Sequence, residues 1–125
     1  MIVNNIITYI RTASHDENSV AGQRAELNEF IAELSALGAE PNVTEITDIG
    51  YNGLSDERPG LTEIMTKLDS GEIDMFVTTN PMRLHRNHTE LMKLIGKLDD
   101  HGVIIEFCDD GEILQEEDGY KELDK

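Results

Sequence analysis

The chain reads as a three-layer α/β domain, a mainly parallel sheet with helices on both faces. Short apolar runs rich in isoleucine and valine alternate with stretches whose apolar residues recur at helical spacing. Loops carrying Gly, Asn, Asp and Pro separate them. With 125 residues and a hydrophobic fraction of 38%, the chain has material for one core rather than two. Strands that alternate with amphipathic helices pair in parallel, because parallel neighbours need a crossover between them.

The elements follow in order. "NIITYIRT" (5–12) has the length of a buried strand. "SVAGQRAELNEFIAELSALG" sets Val20, Leu27, Phe30, Ile31, Leu34 and Leu37 on a helical stripe, with Ser19 as the expected N-cap and Gly38 as the stop. "VTEIT" (43–47) is a second strand, and Gly50, Asn52 and Gly53 mark the loop after it. Pro59 suits the first turn of a helix whose inner face is Leu61, Ile64, Met65 and Leu68. "IDMFVTT" (73–79) is a third strand. "HTELMKLIGKLDDHG" is a third helix, with Leu91, Leu94, Ile95 and Leu98 inward, and "VIIEFC" (103–108) is a fourth strand. Residues 1–111 then form the domain, and 112–125 an acidic tail too polar for the core, expected to be mobile or a short edge element.

Composition removes several classes of function. Cys108 is the single cysteine, which excludes an internal disulfide and a thiolate cluster; at the end of an apolar strand it is expected to be a buried core thiol. The apolar runs are too short to span a membrane, and the N-terminus lacks the basic and small-residue flanks of a signal peptide, so a cytoplasmic protein is expected. Twenty-six acidic residues against ten basic ones give a net charge of −16, with nine acids and two lysines between Glu106 and Lys125. A field of that sign repels phosphates at long range, so any binding of DNA is expected to be weak.

Against that background the arginines are unevenly placed. Ligand sites in such sheets gather beyond the carboxyl ends of the strands. Arg11 and Ser14 follow the first strand, Arg58 follows the second, and Arg83 and Arg86 follow the third, which is four of the five arginines. Guanidinium groups recognise phosphate in a planar, bidentate way, and a serine among them suggests phosphoryl transfer with the hydroxyl as nucleophile. Each residue also has a plainer role: Arg11 as a salt-bridge partner, Arg58 paired with Asp56 or Glu57, Ser14 as a turn or cap residue. His85 and His88 stand three apart but, with no cysteine near, are expected to be solvated rather than metal ligands. "DDGEILQEED" lacks the glycine and glutamate spacing of a calcium loop. No metal or other cofactor is expected.

These residues resemble the N-terminal catalytic domain of the serine site-specific recombinases, the resolvase/invertase family. Tyr9-Ile10-Arg11-Thr12-Ala13-Ser14 is similar to the family's Y-x-R-[VT]-S-T. Asp48-Ile49-Gly50-Tyr51-Asn52-Gly53 with Arg58-Pro59-Gly60-Leu61 is similar to D-x-G-x-S-G and R-x-G-L, and Met82-Arg83-Leu84-His85-Arg86 to D-R-L-x-R. Gln23 falls at the glutamine of the family's first helix. The resemblance covers roughly residues 5–111. It implies site-specific DNA recombination through a 5′-phosphoserine intermediate, with Ser14, Arg11, Arg83 and Arg86 as catalytic residues and Arg58, Tyr9, Gln23 and Asn52 binding substrate or supporting the site. It also implies homo-oligomers, or hetero-oligomers with another recombinase, and DNA as partner. The departures are specific: the family's nucleophilic serine aligns with Ala13, Ser14 sits one position on, and the aspartate of D-R-L is Met82. A degenerate site follows, either impaired in cleavage or surviving as an interaction module that pairs with an intact recombinase. In the family a long helix and a DNA-binding domain come next; neither is present in these residues, so either a fragment of a longer product or a short protein that finds no DNA site alone is expected, the second slightly favoured.

Overall fold

A computed structural model describes residues 4–55 and 57–109. The tail from 112 onward, and Asp56, lie outside the described residues. The chain runs β1 (Asn5–Thr12), α1 (Glu17–Ala36), β2 (Asn42–Ile49), α2 (Pro59–Asp69), β3 (Met75–Thr78), α3 (Pro81–Leu84), α4 (His88–Asp100) and β4 (Ile104–Phe107). The four strands form one sheet in the order β2-β1-β3-β4, every pair parallel.

Alternation along β1 sorts the core into two layers. Ile7 and Tyr9 pack with Leu61, Ile64 and Leu68 of α2 and Leu91 and Leu98 of α4. Ile6 and Ile10 pack on the other face with Val20 and Leu27 of α1. Helices therefore cover both faces, as the sequence predicts. The order places a topological switch between β1 and β3, where the chain leaves the sheet in opposite directions and a crevice opens beyond the strand ends.

Several elements differ from expectation. Helix α1 begins three residues earlier than Ser19 implies, because the Asp16 carboxylate accepts from the Asn18 and Ser19 N–H groups at 2.9 and 3.3 Å and is the cap. Leu37 is 85% exposed: it stands past the last helical residue, where the stripe has turned away from the sheet. Strand β2 is longer than 43–47, extending over Asn42–Ile49, and its first four residues are exposed, as an edge strand allows. Strands β3 and β4 are shorter than their apolar runs, since only the central residues pair. The short helix α3 was not visible as a separate element; Asn80 caps it, its Oδ1 accepting from Arg83 N–H at 3.3 Å, with Pro81 at its first turn. His85 is buried, not solvated, and its Nδ1 accepts from Asn87 N–H at 3.0 Å. Cys108 is only partly buried, at the margin of the α1-side core. No described helix is long and apolar enough to cross a membrane.

Candidate active site

The carboxyl ends of β1 and β3 border a cleft of about 270 Å³ lined by Arg11, Ala13, Asn80, Met82, Arg83 and Arg86. Three of the arginines named from the sequence thus meet in one place. Arg11 lies on the Tyr9 face of β1, and Ala13, two residues on, follows it to the same side. Ser14 is exposed and is not among the lining residues; its carbonyl accepts from the Thr12 hydroxyl at 2.6 Å. The cleft therefore presents an alanine methyl and a methionine side chain beside three guanidinium groups.

Burial of the arginines is graded. Arg58 is fully buried, Arg11 is 4% exposed, Arg83 is half-buried and Arg86 is exposed. Arg11 donates through Nε to the Arg83 carbonyl (3.0 Å), through Nη1 to that of Tyr51 (3.1 Å) and through Nη2 to that of Met82 (3.0 Å). Arg58 donates through Nε to the Ser55 carbonyl (3.0 Å), through Nη1 to the Tyr9 hydroxyl (3.2 Å) and the Arg83 carbonyl (3.1 Å), and through Nη2 to the Leu84 carbonyl. Among the described residues neither forms a salt bridge, Glu57 included, and Asp56 lies outside them; the acceptors are mostly main-chain carbonyls. Burial, with Arg58 and Arg83 close by, pushes the Arg11 guanidinium down to about 10, so it stays charged at neutral pH.

Behind the cleft, the Tyr9 hydroxyl donates to Asp48 Oδ2 at 2.6 Å, and burial with that carboxylate raises the phenol well above its ordinary range. Asp48 also accepts from Gly60 and Leu61 N–H at 2.7 and 3.0 Å, which caps α2 with a buried carboxylate. Gly60 is required there: a Cβ would stand 2.8 Å from both Asp48 Oδ2 and Ile46 Cγ2. Gly53 is required in the loop after β2, where a Cβ would meet Arg86 Cγ at 2.4 Å and Arg11 Nη2 at 2.8 Å. Its carbonyl accepts from Arg86 N–H at 3.0 Å.

The remaining expected residues lie around the cleft rather than in it. Gln23 is buried under the end of β1, where it accepts from Arg11 N–H at 3.3 Å and donates to the Arg11 carbonyl at 3.0 Å. Asn52 is exposed, with its Oδ1 accepting from Leu54 N–H at 2.8 Å, and turns the loop. Sequence reasoning missed Asn80 as a lining residue, and "NP" before a helical turn was the available signal. The buried cap formed by Asp48 and the close approach at Gly53 have no signature in the sequence beyond the motif and the loop glycine. Among the described residues no group of three or more His, Cys, Asp and Glu side chains is placed to hold a metal ion.

The family model described as "Resolvase, N terminal domain" matches residues 6–123. The fold is also similar to solved structures. The N-terminal catalytic domain of TP901-1 integrase superposes with a TM-score of 0.71 at 18% identity, over 82% of this chain and 76% of that one. The C-terminal catalytic domain of ISC1926 TnpA, an IS607-like serine recombinase, gives 0.69 at 23% identity, over 83% and 70%. The first open reading frame of transposon ISC1904 from Sulfolobus solfataricus P2 gives 0.65 at 27% identity, over 80% of this chain and 64% of that one. None of the curated proteins compared with the chain matches it.

Proposed function

The chain belongs to the resolvase N-terminal domain family, and from that we propose that it is a serine-recombinase catalytic domain whose cleft receives a DNA phosphodiester but whose capacity for strand cleavage is impaired. Family chemistry has a serine hydroxyl displace one deoxyribose oxygen at phosphorus, giving a 5′-phosphoserine and a free 3′-hydroxyl, while arginines stabilise the charge on the pentacoordinate centre. The observation that carries the proposal is that Ala13, not Ser14, lines the arginine cleft. Arg83 and Arg86 supply charge to a phosphate; Ala13 supplies no oxygen, and Met82 no carboxylate to orient a guanidinium or take a proton. Cleavage then rests on Ser14, whose loop must refold to bring its hydroxyl in. Gln23, Tyr9 and Arg58 support the site from beneath, Asn52 from the loop, and the setting is the cytoplasm, where DNA is handled.

The test is a chimera with a family DNA-binding domain, assayed for covalent protein–DNA adduct on a denaturing gel. Ala13→Ser with Met82→Asp is expected to form adduct where the parent sequence forms little. Adduct from the parent that Ser14→Ala abolishes would overturn the impairment and make Ser14 the nucleophile.

A second reading is favoured by the net charge of −16: a non-cleaving module that pairs with an intact recombinase. It expects a hetero-oligomer in native mass spectrometry when the two are mixed, and is excluded if only separate species are seen.

A further inference from the structure

Arg11 and Arg58 share an acceptor. Arg11 Nε and Arg58 Nη1 both donate to the carbonyl of Arg83, at 3.0 and 3.1 Å. On either side of it, Arg11 Nη2 takes the carbonyl of Met82 and Arg58 Nη2 that of Leu84. These are the last carbonyls of α3, which a helix end leaves without internal partners. A cation at that end is also favoured by the direction of the peptide dipoles.

We propose that Arg11 and Arg58 are positioning residues, a paired guanidinium clamp on the end of α3 that aims Arg83 and Arg86 into the cleft, and that Arg11 is not itself a phosphate ligand in this chain. The assignment rests on the reading of the cleft as a phosphate site. A guanidinium has five N–H donors; Arg11 spends three on carbonyls, two of α3 and one of the loop after β2. One of its terminal nitrogens is pressed against Gly53, where even a methyl group would come within 2.8 Å. With 4% of its surface exposed, it meets the cleft only by an edge. Arg83, in turn, donates through Nη1 to the carbonyl of Arg11 at 3.2 Å, so the clamp is closed from both sides. Burying two like charges around one carbonyl is costly unless hydrogen bonds satisfy them. The carbonyls of Tyr51, Ser55, Met82, Arg83 and Leu84 do so, and in return the loops after β2 and β3 are fixed to each other.

The experiment is a titration of the full chain with inorganic phosphate, followed through the arginine Nε–Hε signals by NMR, in the wild type and in Arg11→Lys. In the wild type the signals of Arg83 and Arg86 are expected to move saturably, while those of Arg11 and Arg58 stay nearly fixed and exchange slowly with solvent. A shift of Arg11 as large as that of Arg86 would overturn the assignment. Lysine keeps the charge but not the planar fork. Arg11→Lys should therefore move the backbone amides of residues 51–53 and 82–86 and weaken the phosphate response at Arg83 and Arg86 by about tenfold, as expected for one lost charged hydrogen bond. A direct ligand predicts the reverse: unmoved amides and binding largely rescued by the retained charge. Loss of folding in Arg11→Lys counts for the clamp, since a residue that only meets ligand does not hold the fold. No response at any wild-type arginine would remove the phosphate reading, while the amide shifts in Arg11→Lys still decide the clamp.

Discussion

Arg58 shows best how little a residue's type says about its work. In the sequence it is one of four arginines near strand ends; in the structure it is fully buried among carbonyls and the Tyr9 hydroxyl. Arg58→Ala leaves those acceptors unpaired away from water and is expected to cost about 3 kcal/mol or more in urea unfolding. Gly53→Ala probes both sides of that loop, since the added methyl meets the stem of Arg86 and Arg11 Nη2; it should displace Arg86, disturb the Arg11 hydrogen bonds and reduce phosphate binding, followed by the phosphate titration and by urea unfolding. Cys108 gives a pH test. Burial, then the Glu26 carboxylate, raises its thiol from 9.0 to about 11. The folded state holds that proton after the unfolded chain has lost it, so the contribution is complete below pH 9 and is lost as pH rises through about 11. Cys108→Ala should flatten that part of the stability–pH curve.

At the scale of elements, the strands and helices were legible because apolar periodicity survives in β1, α2, α4 and the core of α1. Strand β2 reads short from sequence because polar Asn42 and Asp48 stand at its two ends and Gly50 follows, so the pattern stops before the strand does, and the sheet order does not follow from alternation alone. The convergence of Arg11, Arg83 and Arg86 was legible from the rule that sites gather at strand ends, and the family motifs sharpened it. What the arginines bond to was not, since main-chain carbonyls are the same at every position. The α2 cap is another such case: Asp48 comes from the end of β2, eleven residues before the helix begins at Pro59. Asp48→Asn keeps the shape but removes the charge at the helix N-terminus, and is expected to lower stability by about 1–2 kcal/mol in urea unfolding.

For the whole molecule, the decisive quantity is charge. A cluster of arginines in a chain of net −16 acts only at short range, because counterions screen it within about 8 Å at physiological salt while the acidic surface repels a polyanion on approach. Non-specific duplex DNA is therefore expected to go unshifted in a native gel at about 0.15 M salt. A shift there would mean that the arginine face dominates the encounter despite the total charge.

The carbonyl of Arg83, held by two guanidiniums, also bears on how the protein breathes. Loops on a protein surface commonly open one at a time, each with its own small free energy. Here Tyr51 is tied to Arg11, Ser55 to Arg58, and both arginines to α3, while Gly50 and Tyr51 donate to the Thr12 carbonyl and Arg86 to that of Gly53. Releasing one of these contacts strains the next. Hydrogen exchange at Tyr51, Arg83 and Arg86 should then report a single shared opening, three loops at the top of the sheet behaving as one cooperative unit.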